Sequence, residues 1–323
     1  MHTTTMTIDV LTSREDLEQY DAWIQSLPDA NLWQSLQRKK YLEVRGKDVR
    51  IYAQKDGEHI RASALVMIDK TKNNFSTWDI PRGPLGDDCT DLLKKIINDA
   101  KQEKCIALFL HGDQKNIPSQ KSPRHIHCEA TRIIDLTKTE DEILKQMKPK
   151  GRYNIKVANK HDIIVKESHD IDAFYELVTE TGSRDGFTHL PKKHYQLFLD
   201  YIPGSFLLLA YDKETKPIAG VLSVIWKKNG IYYYGASNHA ERAKMAPYLL
   251  QWESIIRCKA LGCTSYDLLG IAPEGAGPSH PWTGITSFKE KFGGEILNYP
   301  AEQMIILKPV VYWLLQMKRK IIR

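Results

Sequence analysis

Two stretches decide the fold of this chain: Ile51–Ile68, IYAQKDGEHIRASALVMI, and Leu208–Ile225, LLAYDKETKPIAGVLSVI. Each reads as an apolar strand, a charged turn and a second apolar strand, which is a hairpin pattern. They lie 157 residues apart; at that spacing Ala53 falls on Ala210, Ala62 on Ala219 and Leu65 on Leu222. The spacing carries outward in both directions. The helical stretch Asp91–Lys104 falls on Tyr248–Leu261, and the apolar run Cys105–Leu110 on Gly262–Asp267. Upstream, the helix around Leu17–Ile24 falls on one around Phe174–Thr181, and Tyr41-Leu42 on Phe198-Leu199. Identities are few, so the argument rests on one gapless offset that aligns helix, helix, hairpin, helix and strand. It predicts an α/β chain made of two copies of one unit.

A helical segment, Thr139–Ala158, interrupted at Pro149–Gly151, separates the copies. We place the first domain at residues 1–147, joined by the C-terminal segment 301–323, and the second at 148–300. A chain of 323 residues suits two such domains. The tail opens with Pro309, runs apolar through Val310–Leu315 and ends in KRKIIR. It reads as a docking helix with a solvated basic end, or as a helix lying on a membrane surface.

The net charge of +6 permits a polyanionic partner without requiring one. The cysteines Cys89, Cys105, Cys128, Cys258 and Cys263 are scattered, odd in number and free of any CxxC, and the 11 histidines are dispersed. This argues against a disulfide framework or a zinc site and fits a reducing cytosol. The first ten residues lack the basic start and apolar core of a signal peptide. No apolar run reaches the ~18 residues of a membrane span.

The element order resembles that of the GNAT acyltransferases. GNAT enzymes hold the CoA pyrophosphate on main-chain N–H groups at a glycine-rich helix start. Here that place reads Arg242-Ala243-Lys244-Met245-Ala246-Pro247 in the second unit and Pro81-Arg82-Gly83-Pro84-Leu85-Gly86 in the first. Met245 is bulky where the backbone needs a small residue, and prolines have no N–H. The fold thus implies acyl transfer, while the loops disfavour acyl-CoA as donor.

A duplicated GNAT unit without a CoA loop resembles the Fem aminoacyltransferases. Gln34-Ser35 resembles the QS motif of that family, with Arg38 where an aromatic residue is usual. Pro81–Pro84 resembles its PRGP turn, Gly151–Ala158 (GRYNIKVA) its RYNI helix, Arg184–Phe187 (RDGF) its second-domain loop and Tyr233–Ser237 (YYGAS) its strand-end motif. The longest match is Tyr266–Gly294, YDLLGIAPEGAGPSHPWTGITSFKEKFGG. About ten residues join the helices near Ile171–Thr181 and Lys192–Tyr201, so the chain is similar to the branch without a coiled-coil arm. The resemblance implies an aminoacyl-tRNA donor, a UDP-MurNAc-peptide or lipid-linked muropeptide acceptor, no cofactor and no metal. It also implies a monomer in the cytoplasm or at the inner face of the membrane. The amino acid transferred stays open. So do two rivals, a CoA-dependent N-acetyltransferase and a non-catalytic tRNA- or membrane-binding protein.

An aminoacyl ester is already activated, so the enzyme needs positioning and positive charge aimed at the developing oxyanion. Lys289, in the FK position of the family, fits that role; its local alternative is a surface lysine. Phe288 would pack beside it. Asp113 ends a strand in LHGDQ and reads as a base for the acceptor amine or as a turn residue. Lys40 and Arg45 on one helix would grip a diphosphate or form a solvated helix face, with Arg82 a further anion candidate. The family uses an Arg four residues before a Tyr for this purpose; before Tyr195 stands Pro191, leaving His189, Lys192 or Lys193 as substitutes. Arg152 and Lys156 share a helix face suited to tRNA or a precursor phosphate. Tyr233 and Tyr234 alternate along a strand with Tyr232, so one side would meet core and the other a cleft. Arg184, Tyr195 and Ser237 complete the substrate-binding set, and His280-Pro281-Trp282 would stiffen its loop.

Overall fold

A computed structural model describes the chain except residues 1–5, 72–73, 113–115, 125, 187, 214–215, 279, 281 and 322–323, and the side chains of 318–321. The chain opens with β1 (Met6–Val10), α1 (Arg14–Ser26), α2 (Leu36–Val44), β2 (Asp48–Asp56), β3 (His59–Lys70), β4 (Ser76–Ile80), β5 (Leu85–Gly86), α3 (Thr90–Gln102), β6 (Cys105–His111) and β7 (Gln120–Lys121). It continues with β8 (Ala130–Asp135), α4 (Glu140–Gln146), α5 (Pro149–Lys160), β9 (Ile164–Ser168), α6 (Ile171–Asp185), α7 (Lys192–Tyr201), β10 (Ser205–Tyr211) and β11 (Pro217–Trp226). Then come β12 (Asn229–Ser237), α8 (Ala246–Ala260), β13 (Ser265–Asp267), α9 (Thr283–Lys289), β14 (Glu295–Asn298), β15 (Glu302–Ile306) and α10 (Pro309–Ile321).

Local chemistry sets these boundaries. Ser13, Ser35 and Asp170 each accept a main-chain N–H at a helix start, and Thr139 with Glu142 forms a capping box. Pro149 begins α5 and so ends α4 before it. Gly186 ends α6 in the left-handed region.

Two sheets result. The first runs β1-β2-β3-β4-β6-β15-β7, with β5 on β3; the second runs β9-β10-β11-β12-β13-β8-β14. Position by position the orders correspond, and both quoted stretches are hairpins, β2–β3 and β10–β11. The 157-residue offset slips by one within them. Ala62 pairs with Gln54, whereas Ala219 pairs with Ala210, so Ala210 takes the place of Gln54 rather than of Ala53. Both hairpins carry a bulge at the matching place, Gln54/Lys55 and Ala210/Tyr211, so the slip falls in the turn, where the chain from Tyr211 to Pro217 is one residue longer than that from Lys55 to Ile60.

The two compact units are Met1–His127 with Tyr299–Arg323, and Cys128–Asn298. The chain thus enters the second unit at residue 128, not at 148 as the helix break suggested. The reason is β8, which pairs with β13 and β14 and brings α4 with it. Each sheet therefore takes its sixth strand from outside its own run: β15 lies against β6, and β8 against β13.

In the first unit α3 buries Leu92, Leu93, Ile96 and Ala100 against Tyr52, Ala64, Val66 and Leu108. In the second, α8 buries Leu249, Leu250, Ile255 and Cys258 against Phe206, Leu208, Ala219 and Val221. Phe174 of α6 covers the other face at Gly220, where a Cβ would lie 2.6 Å from its ring. No helix among the described residues is long and apolar enough to cross a membrane.

Candidate functional site

The second sheet opens at its middle. β12 has nine residues, and among the described residues it pairs in parallel with β13 at Asn229, Gly230 and Ile231 alone. Beyond Asp267 the chain peels away: Leu268 N donates to Arg132 O, and Ile271 bridges to Ala130. The gap left between Tyr232 and Leu269-Gly270 receives Lys289. This lysine ends α9 and is 5% exposed. Its Nζ donates to Leu269 O at 3.0 Å and Gly270 O at 2.8 Å, and lies 5.4 Å from the Tyr232 ring centroid and 6.0 Å from that of Trp282. Trp282 packs flat on Gly270, where any Cβ would fall inside its ring. Trp282 therefore roofs the lysine.

Burial pushes the Lys289 ammonium down to about 8, while Cys128 and Asp267 pull the other way. No described carboxylate forms an ion pair with it. An ammonium has three N–H donors, and two are held by carbonyls. Among the described residues the third has no acceptor and remains for a further one.

Phe288 points away from Lys289, packing on Tyr248 at 5.1 Å and Phe292 at 5.2 Å between ring centroids. It lines a cavity of about 540 Å³ at the start of α8, with Ile218, Ser237, Met245 and Tyr248. Lys289 and Phe288, adjacent in sequence, thus serve two separate spaces, and Ser237 shares the one with Phe288. Met245 holds φ +54° beneath this cavity, a region that favours glycine.

Tyr232, Tyr233 and Tyr234 do not alternate. A bulge between Leu222 and Ser223 skips Tyr233 in the ladder. Tyr233 and Tyr234 therefore both pack on Phe198 of α7, tilted at 4.6 Å and edge-on at 5.7 Å between ring centroids, while Tyr232 enters the core beneath α8. Tyr195 joins the first group, 5.1 Å from Tyr234, and the Tyr234 hydroxyl lies 2.6 Å from His194 Nε2. His194 escaped the sequence reading, which looked for a cation at His189, Lys192 or Lys193; Lys192 pairs with Asp172.

The remaining candidates of this unit are less concentrated. Arg184 is forked onto its neighbour Asp185 at 2.6 and 2.7 Å. Arg152 turns its guanidinium onto the carbonyls of Lys145 and Met147, capping α4, while Lys156 on the same helix is exposed. Gly151 lets α5 touch the Lys291 carbonyl, where a Cβ has no room.

In the first unit the QS and PRGP motifs form one bracket. Buried Gln34 donates to Pro81 O and accepts from Leu65 N, both at 2.7 Å, while Ser35 caps α2. Lys40 is exposed on α2, and Arg45 lies 5.2 Å from the Tyr41 ring centroid. Arg82 is buried with φ +56°, its guanidinium 3.4 Å from the Tyr299 ring centroid. Asp113 lies outside the described residues.

Next to the bracket is a polar cluster that composition did not reveal. His111, His127 and Glu302 bring three potential metal-ligand atoms within 4.8 Å. Arg124 takes both Glu302 oxygens, at 2.7 and 2.8 Å, and reaches Asp79 at 2.9 Å. His111 Nδ1 accepts the Arg82 N–H at 3.0 Å. Burial lowers His111 to about 4, helped by Arg82, and lowers His127 too, helped by His111. With two guanidiniums alongside, this is an internal charge network rather than a cation cage.

Comparison with known proteins places this geometry. The model of the FemAB family matches residues 15–112, 104–211 and 206–320. Among solved structures the chain is similar to FemX, at TM-score 0.78 and 18% identity over 95% of this chain and 99% of that one. It is similar to a tandem GNAT protein from the clavulanic acid biosynthesis pathway, at TM-score 0.61 and 10% identity over 94% and 99%. A third is the C-terminal domain of a putative lysylphosphatidylglycerol synthetase from Agrobacterium fabrum, at TM-score 0.59 and 13% identity over 95% and 96%. No curated protein matches the sequence significantly. The structural likenesses show the fold, two GNAT-like α/β units in tandem; the family match spans most of the sequence. The chain belongs to the FemAB family and is a peptidoglycan-related aminoacyltransferase.

Proposed function

We propose that the protein transfers an amino acid from aminoacyl-tRNA to the stem peptide of a peptidoglycan precursor, with Lys289 as the electrostatic partner of the reacting carbonyl. The observation that carries this is the buried ammonium in the split of the second sheet, with one N–H uncommitted. The acceptor amine attacks the ester carbon, the carbonyl oxygen becomes an oxyanion beside Lys289, and the ribose oxygen leaves as the ester bond breaks. The proton lost by the amine ends on that ribose oxygen. Asp113 is the proposed base for the amine. A fixed cation in a water-poor site acts on the oxyanion more strongly than on the neutral carbonyl.

The cavity lined by Phe288 and Ser237 would take the donor end, and Arg152 and Lys156 its phosphates. Lys40, Arg45 and Arg82 would hold the precursor diphosphate, and Arg184, Tyr195, Tyr233 and Tyr234 its sugar and peptide. The reaction would run in the cytoplasm on a monomer. One observation favours a CoA-dependent acetyltransferase instead: the cavity lies at the turn where GNAT enzymes hold pyrophosphate. Pro247 and Met245 at that turn argue against it.

The test is single-turnover transfer from charged tRNA to UDP-MurNAc-pentapeptide, paired with calorimetry of acetyl-CoA. Transfer that needs charged tRNA supports the proposal. Micromolar acetyl-CoA binding without transfer overturns it.

A further inference from the structure

The first unit ends in a helix with two apolar sides. On one, Val311 and Tyr312 of α10 pack against Ile106, Phe109 and Met304. On the other, Val310, Trp313, Leu314 and Met317 are 73%, 60%, 56% and 55% exposed. Their spacing is i, i+3, i+4 and i+7, one continuous stripe. A helix docked by one face ordinarily turns polar residues to solvent on the other. This one turns out a tryptophan, a leucine, a valine and a methionine side by side.

The sequence around the stripe is cationic. Lys308 precedes the helix, Lys318-Arg319-Lys320 end it, and Arg323 follows; residues 303–323 contain no Asp or Glu. At 13 residues α10 is about 20 Å long, too short to span a bilayer. We propose that α10 is an interfacial helix that docks the protein on an anionic lipid bilayer. The pattern fits that occupant: an apolar stripe enters the headgroup boundary, a tryptophan sits at that depth, and basic residues meet lipid phosphates. A protein groove would equally accept the stripe but gives no reason for five cations without an acid. The proposal stands on α10 and is independent of the transfer reaction.

The test is co-sedimentation of the full-length protein with vesicles of phosphatidylglycerol and phosphatidylcholine in equal parts, against phosphatidylcholine alone. The wild type should bind the mixed vesicles, and high salt should weaken the binding. The double substitution Trp313→Ser/Leu314→Ser leaves net charge unchanged and touches only exposed side chains. It should lower affinity about tenfold or more. Lys318→Gln/Arg319→Gln/Lys320→Gln should lower it roughly a hundredfold. Thermal unfolding checks that both variants fold.

Three results would overturn the assignment. One is failure of the wild type to bind. Another is wild-type binding by the Trp313/Leu314 variant, which would mark a diffuse basic attraction. The third is a concentration-dependent dimer abolished by that same variant, which would give the stripe to a second copy of the chain.

Discussion

In the first unit β4 pairs along all five of its residues with β6, from Ser76 to Ile80. In the second unit the equivalent strand, β12, pairs with β13 over three positions and then continues to Ser237 held by β11 on its other side. The first sheet stays paired here and the second splits, and the ends of the strands are closed by different means. In the first, the PRGP turn folds over the end of β6, with His111 N donating to Gly83 O and Arg82 N to the His111 ring. In the second, the carbonyls beyond β13 are met by the Lys289 ammonium. One unit closes off its paired strands with main chain and a neutral ring; the other fills its split with an ammonium. The two units share one architecture, and the oxyanion role proposed for Lys289 rests on this difference between them.

The sharpest way to break the comparison is Lys289→Met. If the ammonium meets the oxyanion, single-turnover transfer should fall about a hundredfold or more, roughly 3 kcal/mol. Precursor affinity should hold, because the proposed diphosphate residues lie elsewhere. Stability should change little, for two opposed reasons. The drop from 10.5 to about 8 means that charging the buried lysine costs the fold about 3 kcal/mol. Removing it leaves the Leu269 and Gly270 carbonyls unmet, a loss of similar order. Transfer at the wild-type rate by a folded variant would remove the asymmetry between the units.

The counterpart in the first unit is Gln34→Ala, expected to act on stability alone. Gln34 bridges Pro81 O and Leu65 N inside the core, and a Cβ on Gly83 would lie 2.7 Å from its amide. Its loss leaves two buried main-chain groups unpaired and a small void, costing about 3 kcal/mol. Chemical denaturation should show this, with turnover per folded molecule within about twofold. Turnover reduced as far as in Lys289→Met would place chemistry in the first unit.

These two motifs also mark how far the sequence could be read. QS, PRGP and the FK pair were visible as words, and the repeat was visible as a spacing, because hairpin and helix periodicity are local properties. What the words do was not. Gln34 as a bracket depends on Pro81 and Leu65, 47 and 31 residues away. The bulge that sends Tyr233 and Tyr234 to one side is a matter of pairing register, which leaves no trace in composition. The boundary between the units fell at residue 128 because β8 pairs with β13 and β14, strands far along the chain, and such long-range pairing leaves no local mark. Arg124, His127 and His194 gather partners from distant elements and carry no motif.

A smaller effect separates the units by pH of activity. If Lys289 acts as a cation, transfer should fall as pH rises through about 8. One unit above that value about a tenth of the lysine stays charged, so the rate should drop about tenfold. Comparing enzyme at pH 7 and pH 9, with hydrolysis of the tRNA ester measured in parallel, gives the answer. A rate that rises instead would make the neutral amine the active form.

The mildest prediction belongs to the first unit and to its stability in acid. His111 and His127 are held neutral by burial and by nearby guanidiniums, His111 near 4 in the folded protein against about 6.5 unfolded. Between those values the unfolded chain binds protons that the folded chain refuses, so stability is full above about 6.5 and is lost as pH falls towards 4. Asp79 opposes this. Burial raises its carboxyl to about 6, so its contribution is present at low pH and lost as pH rises through that value. Two histidines against one carboxyl leave a net uptake of about one proton on unfolding between pH 6 and pH 4, or about 1.4 kcal/mol per pH unit. His127→Phe keeps an aromatic edge for His111, now 4.8 Å away between ring centroids, and removes one of the two protons. The acid limb of its stability curve should become nearly flat, with the curve above pH 7 nearly parallel to wild type. Denaturant midpoints at half-unit steps from pH 4.5 to pH 7.5 test this, and an unchanged acid slope would mean that the histidines titrate normally and that this gap is open to water.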